Sequence, residues 1–137
     1  MFSFYFSENE KYENYKDEVF KRIEKMCDYS LKQGVYCCHE NEKGIYGDNA
    51  ERCLDILKAC EGKLRAVFDP ANFVLSGHDI AEAEALLLPV SDFYHVKDGR
   101  YSGEIVPAGY GDGNLKSLLS NDNVTLTVEP HLFEFGG

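Results

Sequence analysis

The sequence predicts an α/β fold with a parallel sheet, formed by five short strands that alternate with helices. Three observations support this prediction. Short apolar runs recur at intervals along the 137 residues, the segments between them carry apolar residues at helical spacing, and capping residues, Gly or Pro mark several of their boundaries. Strands that alternate with helices are joined by right-handed crossovers, which make neighbouring strands parallel.

The chain begins with a predicted strand at residues 2–6 (FSFYF). A helix follows, because apolar side chains recur at helical spacing from Val19 to Leu31, and Gly34 is suited to end it. The second predicted strand is 35–40 (VYCCHE). This opening strand–helix–strand unit sets the pattern that the rest of the chain repeats.

The second helix is predicted to begin at Asn49, which can cap its amino terminus. It leads to the third strand at 64–69 (LRAVFD). The third helix has a start resembling a capping box, Asp79 followed three positions later by Glu82, and Pro89 ends it.

The fourth predicted strand is 93–98 (FYHVKD), and the fifth is 124–130 (VTLTVEP). Between them lie a glycine-rich loop at 106–115 and a short helix at 114–120. The loop lacks the glycine spacing of a dinucleotide-binding motif. It is either a tight turn or a segment that closes over a substrate beside His95.

Two architectures fit this order of elements, a flavodoxin-like open sheet and part of a (β/α)8 barrel. A complete barrel needs about 250 residues, so a barrel of this length is partial. The composition, with 44% hydrophobic residues, 9 Phe and 9 Tyr, is sufficient for one core. We therefore expect residues 1–137 to form a single domain.

The net charge of −10 disfavours binding to nucleic acids and to anionic membranes. No apolar stretch approaches the roughly 18 residues of a membrane span, and the acidic start does not resemble a signal peptide. The odd number of cysteines and the lack of a CxxC pair favour small buried thiols in a reducing cytoplasm. These are Cys27, Cys37, Cys38, Cys53 and Cys60.

Metal-ligand residues recur where the predicted strands end. Glu40, Asp69 and Glu129 each stand at the end of a strand, and His95 lies near the end of the fourth. Any one of them alone is explained as a helix cap or a solvated side chain. The carboxyl ends of parallel strands meet on one face, however, so the four together predict a site for Mn, Mg, Co or Zn.

Five segments of the chain together resemble the sugar phosphate isomerase/epimerase group of the xylose-isomerase-like TIM-barrel superfamily. The resemblance covers nearly the whole chain in matching order. The segments are HENEKGIYGD (39–48), VFDPANF (67–73), HVKD (95–98), VPAGYGDG (106–113) and VEPHL (128–132).

The resemblance implies a metal-dependent isomerase or epimerase that acts on a small carbohydrate or sugar phosphate. The family's metal ligands correspond to Glu40, Asp69, His95 and Glu129. In epimerases of the group the two glutamates also serve as acid and base. One would remove a proton next to a carbonyl to give an enediolate, and the other would return it.

Three further positions are candidate substrate contacts. Asn72 stands where the family often has a second histidine, Lys97 belongs to the HxKD signature, and His131 follows Glu129 closely enough to reach the site. The alternative role for Lys97 and for the adjacent Asp98 is packing and pairing with a loop.

Family members are considerably longer, roughly twice this length. Residues 2–6 match the fourth barrel strand, so strands one to three and the final helix are absent, and the chain resembles the C-terminal half of a truncated or split barrel. Open strand edges then favour a homodimer or a complex with the missing N-terminal half.

Two other functions are open. The first is a non-catalytic remnant or one subunit of a split enzyme. The second is a phosphodiesterase resembling endonuclease IV, which needs more histidines in a multi-zinc cluster than this chain offers. The histidines are His39, His78, His95 and His131.

Overall fold

The computed structural model describes residues 1–7, 9–60, 62–120 and 123–129. Its strands are β1 (Cys37–Glu40), β2 (Leu64–Phe68), β3 (Ser91–Val96), β4 (Asp98–Gly99), β5 (Ile105–Val106) and β6 (Thr125–Val128). Four of them form a sheet in the order β1-β2-β3-β6, and every neighbouring pair is parallel. The two-residue strands β4 and β5 form a separate antiparallel pair. The predicted parallel sheet is confirmed for these four strands.

The described residues contain five α-helices, and two of them begin after capping residues that the sequence analysis identified. The Asn49 side chain accepts a hydrogen bond from the backbone N–H of Arg52, and the Asp79 side chain accepts one from that of Glu82. None of the helices in the described ranges is long and apolar enough to cross a membrane. The helices are α1 (Lys16–Lys32), α2 (Ala50–Ala59), α3 (Pro70–Leu75), α4 (Ile80–Leu87) and α5 (Leu115–Leu118), with 3-10 turns at Tyr12–Tyr15 and Leu88–Val90.

The helix α3 was not predicted from the sequence. It begins directly after β2, where Asp69 Oδ1 accepts a hydrogen bond from the backbone N–H of Asn72 at 3.0 Å. Pro70 occupies the first turn, where its fixed φ is compatible with a helix and its missing N–H costs nothing. Asp69 therefore caps a helix as well as ending a strand.

The prediction of a strand at residues 2–6 is wrong. The segment makes only an isolated antiparallel bridge between Tyr5 and Ile45. The backbone N–H of Phe6 likewise donates to the carbonyl of Gly44 at 3.1 Å. Its backbone is thus bonded to the loop after β1 and not to a neighbouring parallel strand, because the chain leaves the sheet edge after its first residue.

Met1 itself lies alongside β1 in a parallel arrangement. Its amino group donates to the carbonyl of Cys38 at 2.6 Å, and its carbonyl accepts from the backbone N–H of Glu40 at 3.0 Å. This alternation of donor and acceptor is that of a parallel ladder. The start of the chain therefore covers part of the open edge of β1.

The helices pack on one face of the sheet. In β2 the buried residues alternate with half-buried ones, as expected for a strand covered mainly on one side. Leu64 packs with residues of α1 and α2, and Phe68 packs with residues of α4 and α5. Cys27, Cys53 and Cys60 are buried free thiols in these apolar clusters, and burial raises the pKa of Cys27 to about 12.

The pairing of β2 with β3 contains a register shift. Ala66 pairs with Ser91, but Val67 pairs with Phe93, so Asp92 is an additional residue on β3. Such an insertion moves every later residue of β3 by one position relative to β2. It therefore decides which β3 side chain lies level with the end of β2.

Candidate metal centre

Four side chains converge at the carboxyl ends of the parallel strands. They are Glu40 from β1, Asp69 after β2, His95 from β3 and Glu129 after β6. Each offers one ligand atom, and these atoms all lie within 4.8 Å of one another. The structure thus brings together all four residues that the sequence analysis selected as metal ligands.

Strand register explains why these side chains share one face. Glu40 pairs with Val67, two residues before Asp69, and side chains two positions apart point to the same side of a strand. On the other side of β2, the last paired residues are Phe68 and Tyr94. The next step along both strands brings Asp69 level with His95. Without the register shift, Tyr94 would stand there.

The imidazole of His95 lies among the three carboxylates. Its Nδ1 atom is 3.1 Å from Glu40 Oε1, 3.4 Å from Glu129 Oε1 and 3.6 Å from Asp69 Oδ2. Asp69 is fully buried, whereas the Glu129 side chain is 36% exposed. The cluster is therefore reached from solvent on the side of Glu129.

The carboxylates control the charge of His95. Burial lowers the pKa of the imidazole, but the adjacent carboxylates of Asp69, Glu40 and Glu129 outweigh burial and raise the pKa to about 10. Without an ion the imidazole is therefore protonated at neutral pH. Its positive charge offsets part of the repulsion among the acids.

The residues present fit a divalent cation. Asp69 Oδ2 and His95 Nδ1 are both buried atoms without a hydrogen-bond partner of good geometry. Buried polar atoms without partners are rare and costly, so their presence indicates a missing ligand. Three carboxylates and one imidazole form a donor set suited to Zn, Mn, Co or Mg.

No protein-family model matches this sequence, and no curated protein is significantly similar to it. Solved structures do match. One is the probable 3-DHS dehydratase AsbF from Bacillus anthracis, with a TM-score of 0.70 and 20% identity over 98% of this chain and 56% of that one. Another is the IOLI protein with a binding zinc atom, with a TM-score of 0.76 and 17% identity over 94% and 52% of the two chains.

A third match is the 3-keto-D-glucoside 4-epimerase YcjR from E. coli, with a TM-score of 0.68 and 10% identity over 90% of this chain and 49% of that one. A xylose isomerase-like TIM barrel protein from Mycobacterium smegmatis in complex with magnesium also matches, with a TM-score of 0.69 and 18% identity over 86% of this chain and 44% of that one. This chain has the fold of part of such a barrel. It spans about half the length of the structures it matches. The partial-barrel prediction is therefore confirmed.

A buried polar network lies next to the metal-ligand cluster of the partial barrel. We call it the amide–lysine network, and it consists of Asn41, Asp69, Asn72 and Lys97. Lys97 Nζ lies 2.9 Å from Asp69 Oδ2 and donates a hydrogen bond of 2.8 Å to Asn72 Oδ1. The contact with Asp69 is an ion pair that lacks the alignment of a hydrogen bond.

Asn41 connects the ends of β1 and β2 within this network. Its side chain exchanges two hydrogen bonds of 2.9 Å with the backbone of Asp69, and its carbonyl accepts one of 2.8 Å from the side chain of Asn72. The sequence analysis missed Asn41. The sequence feature that could have identified Asn41 is its position directly after a strand, where Asn side chains often form hydrogen bonds with the nearby backbone.

The candidate substrate contacts differ in their surroundings. Asn72 and Lys97 lie beside the metal-ligand cluster, but both are buried and bonded to each other. His131 lies outside the described residues. A substrate role for these three residues remains a prediction.

The glycine-rich loop is anchored by Asp98, the first residue of β4. One carboxylate oxygen of this buried residue accepts from the backbone N–H groups of Gly99 and Gly113, and the other accepts from those of Gly109 and Gly111. A Cβ atom on Gly111 would lie 2.3 Å from Asp98 Oδ1. The glycines therefore permit close approach to the carboxylate, and Asp98 has the loop-pairing role expected of it.

Within the described residues, His95 is the only histidine that belongs to a possible metal-ligand group. His39 is buried beside Gly47, and burial, followed by the nearby terminal amino group, lowers its pKa to about 3. The partial barrel thus offers a cluster for one ion in this region. That composition does not favour the multi-zinc phosphodiesterase alternative.

Proposed function

We propose that the protein is a metal-dependent isomerase or epimerase of a small sugar or sugar phosphate. The observation that carries this proposal is the convergence of three carboxylates and one imidazole within 4.8 Å at the strand ends. The fold supports it, because a 3-keto-D-glucoside 4-epimerase and a zinc-binding protein are among the similar structures. A small carbohydrate is therefore the proposed substrate class.

Glu40, Asp69, His95 and Glu129 would hold the cation, which we expect to be Mn, Mg, Co or Zn. When bound, the cation would act as a Lewis acid on a substrate carbonyl and a neighbouring hydroxyl. Each carboxylate has two oxygens, so a glutamate that uses one oxygen as a ligand retains the other for proton transfer.

The two glutamates would move the proton. One of Glu40 and Glu129 takes the proton from the carbon next to the carbonyl, and the electron pair of the broken C–H bond forms the enediolate. The other glutamate delivers a proton. Delivery to the opposite face of the same carbon inverts that centre and gives an epimer, and delivery to the adjacent carbon converts a ketose into an aldose.

Other parts of the chain would complete the site. We propose that Asn72, Lys97 and His131 shape the substrate end of the pocket. We assign the chain to the C-terminal part of the barrel, about strands four to eight, as a single unit over residues 1–137. In this assignment β1, β2, β3 and β6 take the places of strands five to eight, and the start of the chain, which pairs with β1 through Met1, takes the place of strand four. The five free thiols favour the cytoplasm as its compartment.

A metal titration followed by thermal unfolding tests the proposal. A ligand that binds only the folded state stabilises it by about 2.7 kcal/mol at one hundred times the dissociation constant, so Mn²⁺ or Zn²⁺ should raise the melting temperature. Glu129→Gln removes a ligand charge and should reduce this rise strongly. The matched control is Glu104→Gln, which alters an exposed glutamate paired with Arg100.

The alternative is a non-catalytic remnant or one subunit of a split enzyme. It is supported by the coverage, since this chain spans about half the length of the similar structures. If neither ion changes the melting temperature of the native chain, the metalloenzyme proposal fails and this alternative replaces it. Equal shifts in native protein and Glu129→Gln would instead show that the ion binds elsewhere.

A further inference from the structure

We propose that Lys97 is a positioning residue for the metal centre, acting as a permanent counterion that competes with the cation for Asp69. This inference rests on the proposed metal-binding function and adds a regulator of its affinity. In this view the ammonium group holds the carboxylates together before the ion arrives. It also weakens the binding of the ion by its own positive charge.

The first argument is the position of the ammonium group. Lys97 Nζ contacts Asp69 Oδ2, the same oxygen that faces His95 Nδ1 at 3.6 Å. It therefore lies next to the oxygen that would contact the ion. A cation bound there and the ammonium group would share one carboxylate oxygen.

The second argument is that the lysine is held in place. Lys97 is only 7% exposed, and its ammonium group donates to Asn72 Oδ1 at 2.8 Å. Asn72 is fixed in turn by its bond to the carbonyl of Asn41. An ammonium group held by a buried amide does not swing away when an ion binds, so its charge persists at the site.

The third argument is the charge balance of the centre. Glu40, Asp69 and Glu129 bring three acidic side chains within a few ångströms, and Asp69 is wholly buried. Like charges at such distances repel strongly where water is scarce. A fixed cation beside Asp69 relieves that repulsion in the metal-free protein, and removing one partner of a buried ion pair is strongly destabilising.

The proposal predicts two effects of opposite sign. Lys97→Met keeps the length of the side chain but removes its charge. The metal-free variant should be less stable than the native protein, because Asp69 loses its counterion. Its affinity for Mn²⁺ should nevertheless rise by about tenfold or more, because a like charge within a few ångströms of a dication opposes its binding.

The experiment is calorimetric titration of the metal-free chain with Mn²⁺, paired with thermal unfolding with and without the ion. Lys97→Gln is the second variant, since its amide can still donate to Asn72 without carrying charge. The matched control is Lys63→Met, which also removes a lysine from two acidic partners, Glu24 and Asp28, on a remote surface. The control should leave the Mn²⁺ affinity unchanged.

The outcomes separate the two proposals. If the native chain binds no Mn²⁺, the metal-binding function fails. If the native chain binds but both Lys97 variants bind equally or more weakly, the counterion role is overturned and Lys97 only supports the local structure. If neither Lys97 variant folds, the lysine is required for the fold itself and the proposal is withdrawn.

Discussion

At the scale of single residues, His95 is the side chain whose charge depends most on its neighbours. Its Nδ1 atom faces Glu40, Glu129 and Asp69, and these acids raise its pKa to about 10 against the opposing effect of burial. An imidazole must lose its proton before that nitrogen can bind a cation. In the proposed metal centre, a proton and the metal would therefore compete for one atom.

We predict that binding of Mn²⁺ or Zn²⁺ releases about one proton near pH 7.5 and tightens as the pH rises toward 10. Calorimetric titration in buffers of different ionisation enthalpy measures the release. His95→Gln, which has no titrating ring, should bind weakly and show no buffer dependence. A binding enthalpy of the native chain that is the same in every buffer would contradict the prediction.

The same pKa shift affects the stability of the metal-free chain. Below pH 6.5 His95 is protonated in both folded and unfolded chains, so the stabilisation by its acidic neighbours is fully present. As the pH rises from 6.5 toward 10, the unfolded chain loses this proton first, and the stabilisation is lost.

The four candidate ligands could be selected from the sequence because each stands at or near the end of a predicted strand. The role of Asp69 as a helix cap was not assigned from the sequence, because its hydrogen bond from Asn72 requires a helix that begins at Pro70, and that helix was not predicted. The amide–lysine network could not be predicted from the sequence either. Its members are separated along the chain, and only the folded sheet brings Asn41 next to Asp69.

At the scale of elements, one carboxylate fixes the conformation of the glycine-rich loop. Asp98 accepts hydrogen bonds from four backbone N–H groups, and three of its glycine partners are more than ten residues away along the chain. Hydrogen bonds to a charged acceptor are roughly twice as strong as neutral ones. The loop is thus fixed to β4, close to the residues that follow His95.

We predict that Asp98→Asn destabilises the protein by about 3 kcal/mol, since its amide nitrogen cannot accept a hydrogen bond and leaves buried N–H groups without a partner. Urea unfolding measures the loss. The matched control is Asp112→Asn, because the exposed Asp112 carboxylate accepts a hydrogen bond from the backbone N–H of Tyr101. The control substitution should lower the free energy of unfolding by less than about 1 kcal/mol. Similar losses for the two variants would refute the special role of Asp98.

Element prediction succeeded where local signals and packing agree. The strands at 64–69 and 93–98 and the capped helices were predictable from apolar runs and from Asn49 and Asp79. The strand at 2–6 failed, because the same apolar pattern packs against a loop. The additional residue Asp92 on β3 could not be predicted, since register depends on the partner strand.

At the scale of the whole molecule, β6 differs from the other strands of the sheet. All four of its residues are exposed, with Leu126 at 44% and Val128 at 68%, although Leu126 pairs with the fully buried Tyr94. Parallel sheets are normally covered on both faces. Among the described strands, only β3 pairs with β6. This strand therefore presents an apolar surface and an open edge.

We predict that the chain associates through β6, either with a second copy or with a complementary part of a barrel. Sedimentation velocity over a range of concentrations should give a mass above the 15.5 kDa of one chain. Val128→Lys places a charge on the exposed face and should shift the mass toward 15.5 kDa.

The control for association is Val35→Lys, because Val35 is 55% exposed and lies before β1. It should leave the mass unchanged. A native chain that stays at 15.5 kDa at every concentration would count against an interface at β6. Equal effects of the two substitutions would indicate nonspecific aggregation.

The distribution of one ligand per strand has a further consequence for folding. A slip of one residue between parallel neighbours turns a strand's side chains to the opposite face of the sheet. Glu40, Asp69, His95 and Glu129 meet only when all three pairings have their native alignment. A cation present while the chain folds would stabilise only that alignment. It would therefore favour the native register of the sheet over shifted registers, in addition to its proposed role in the reaction.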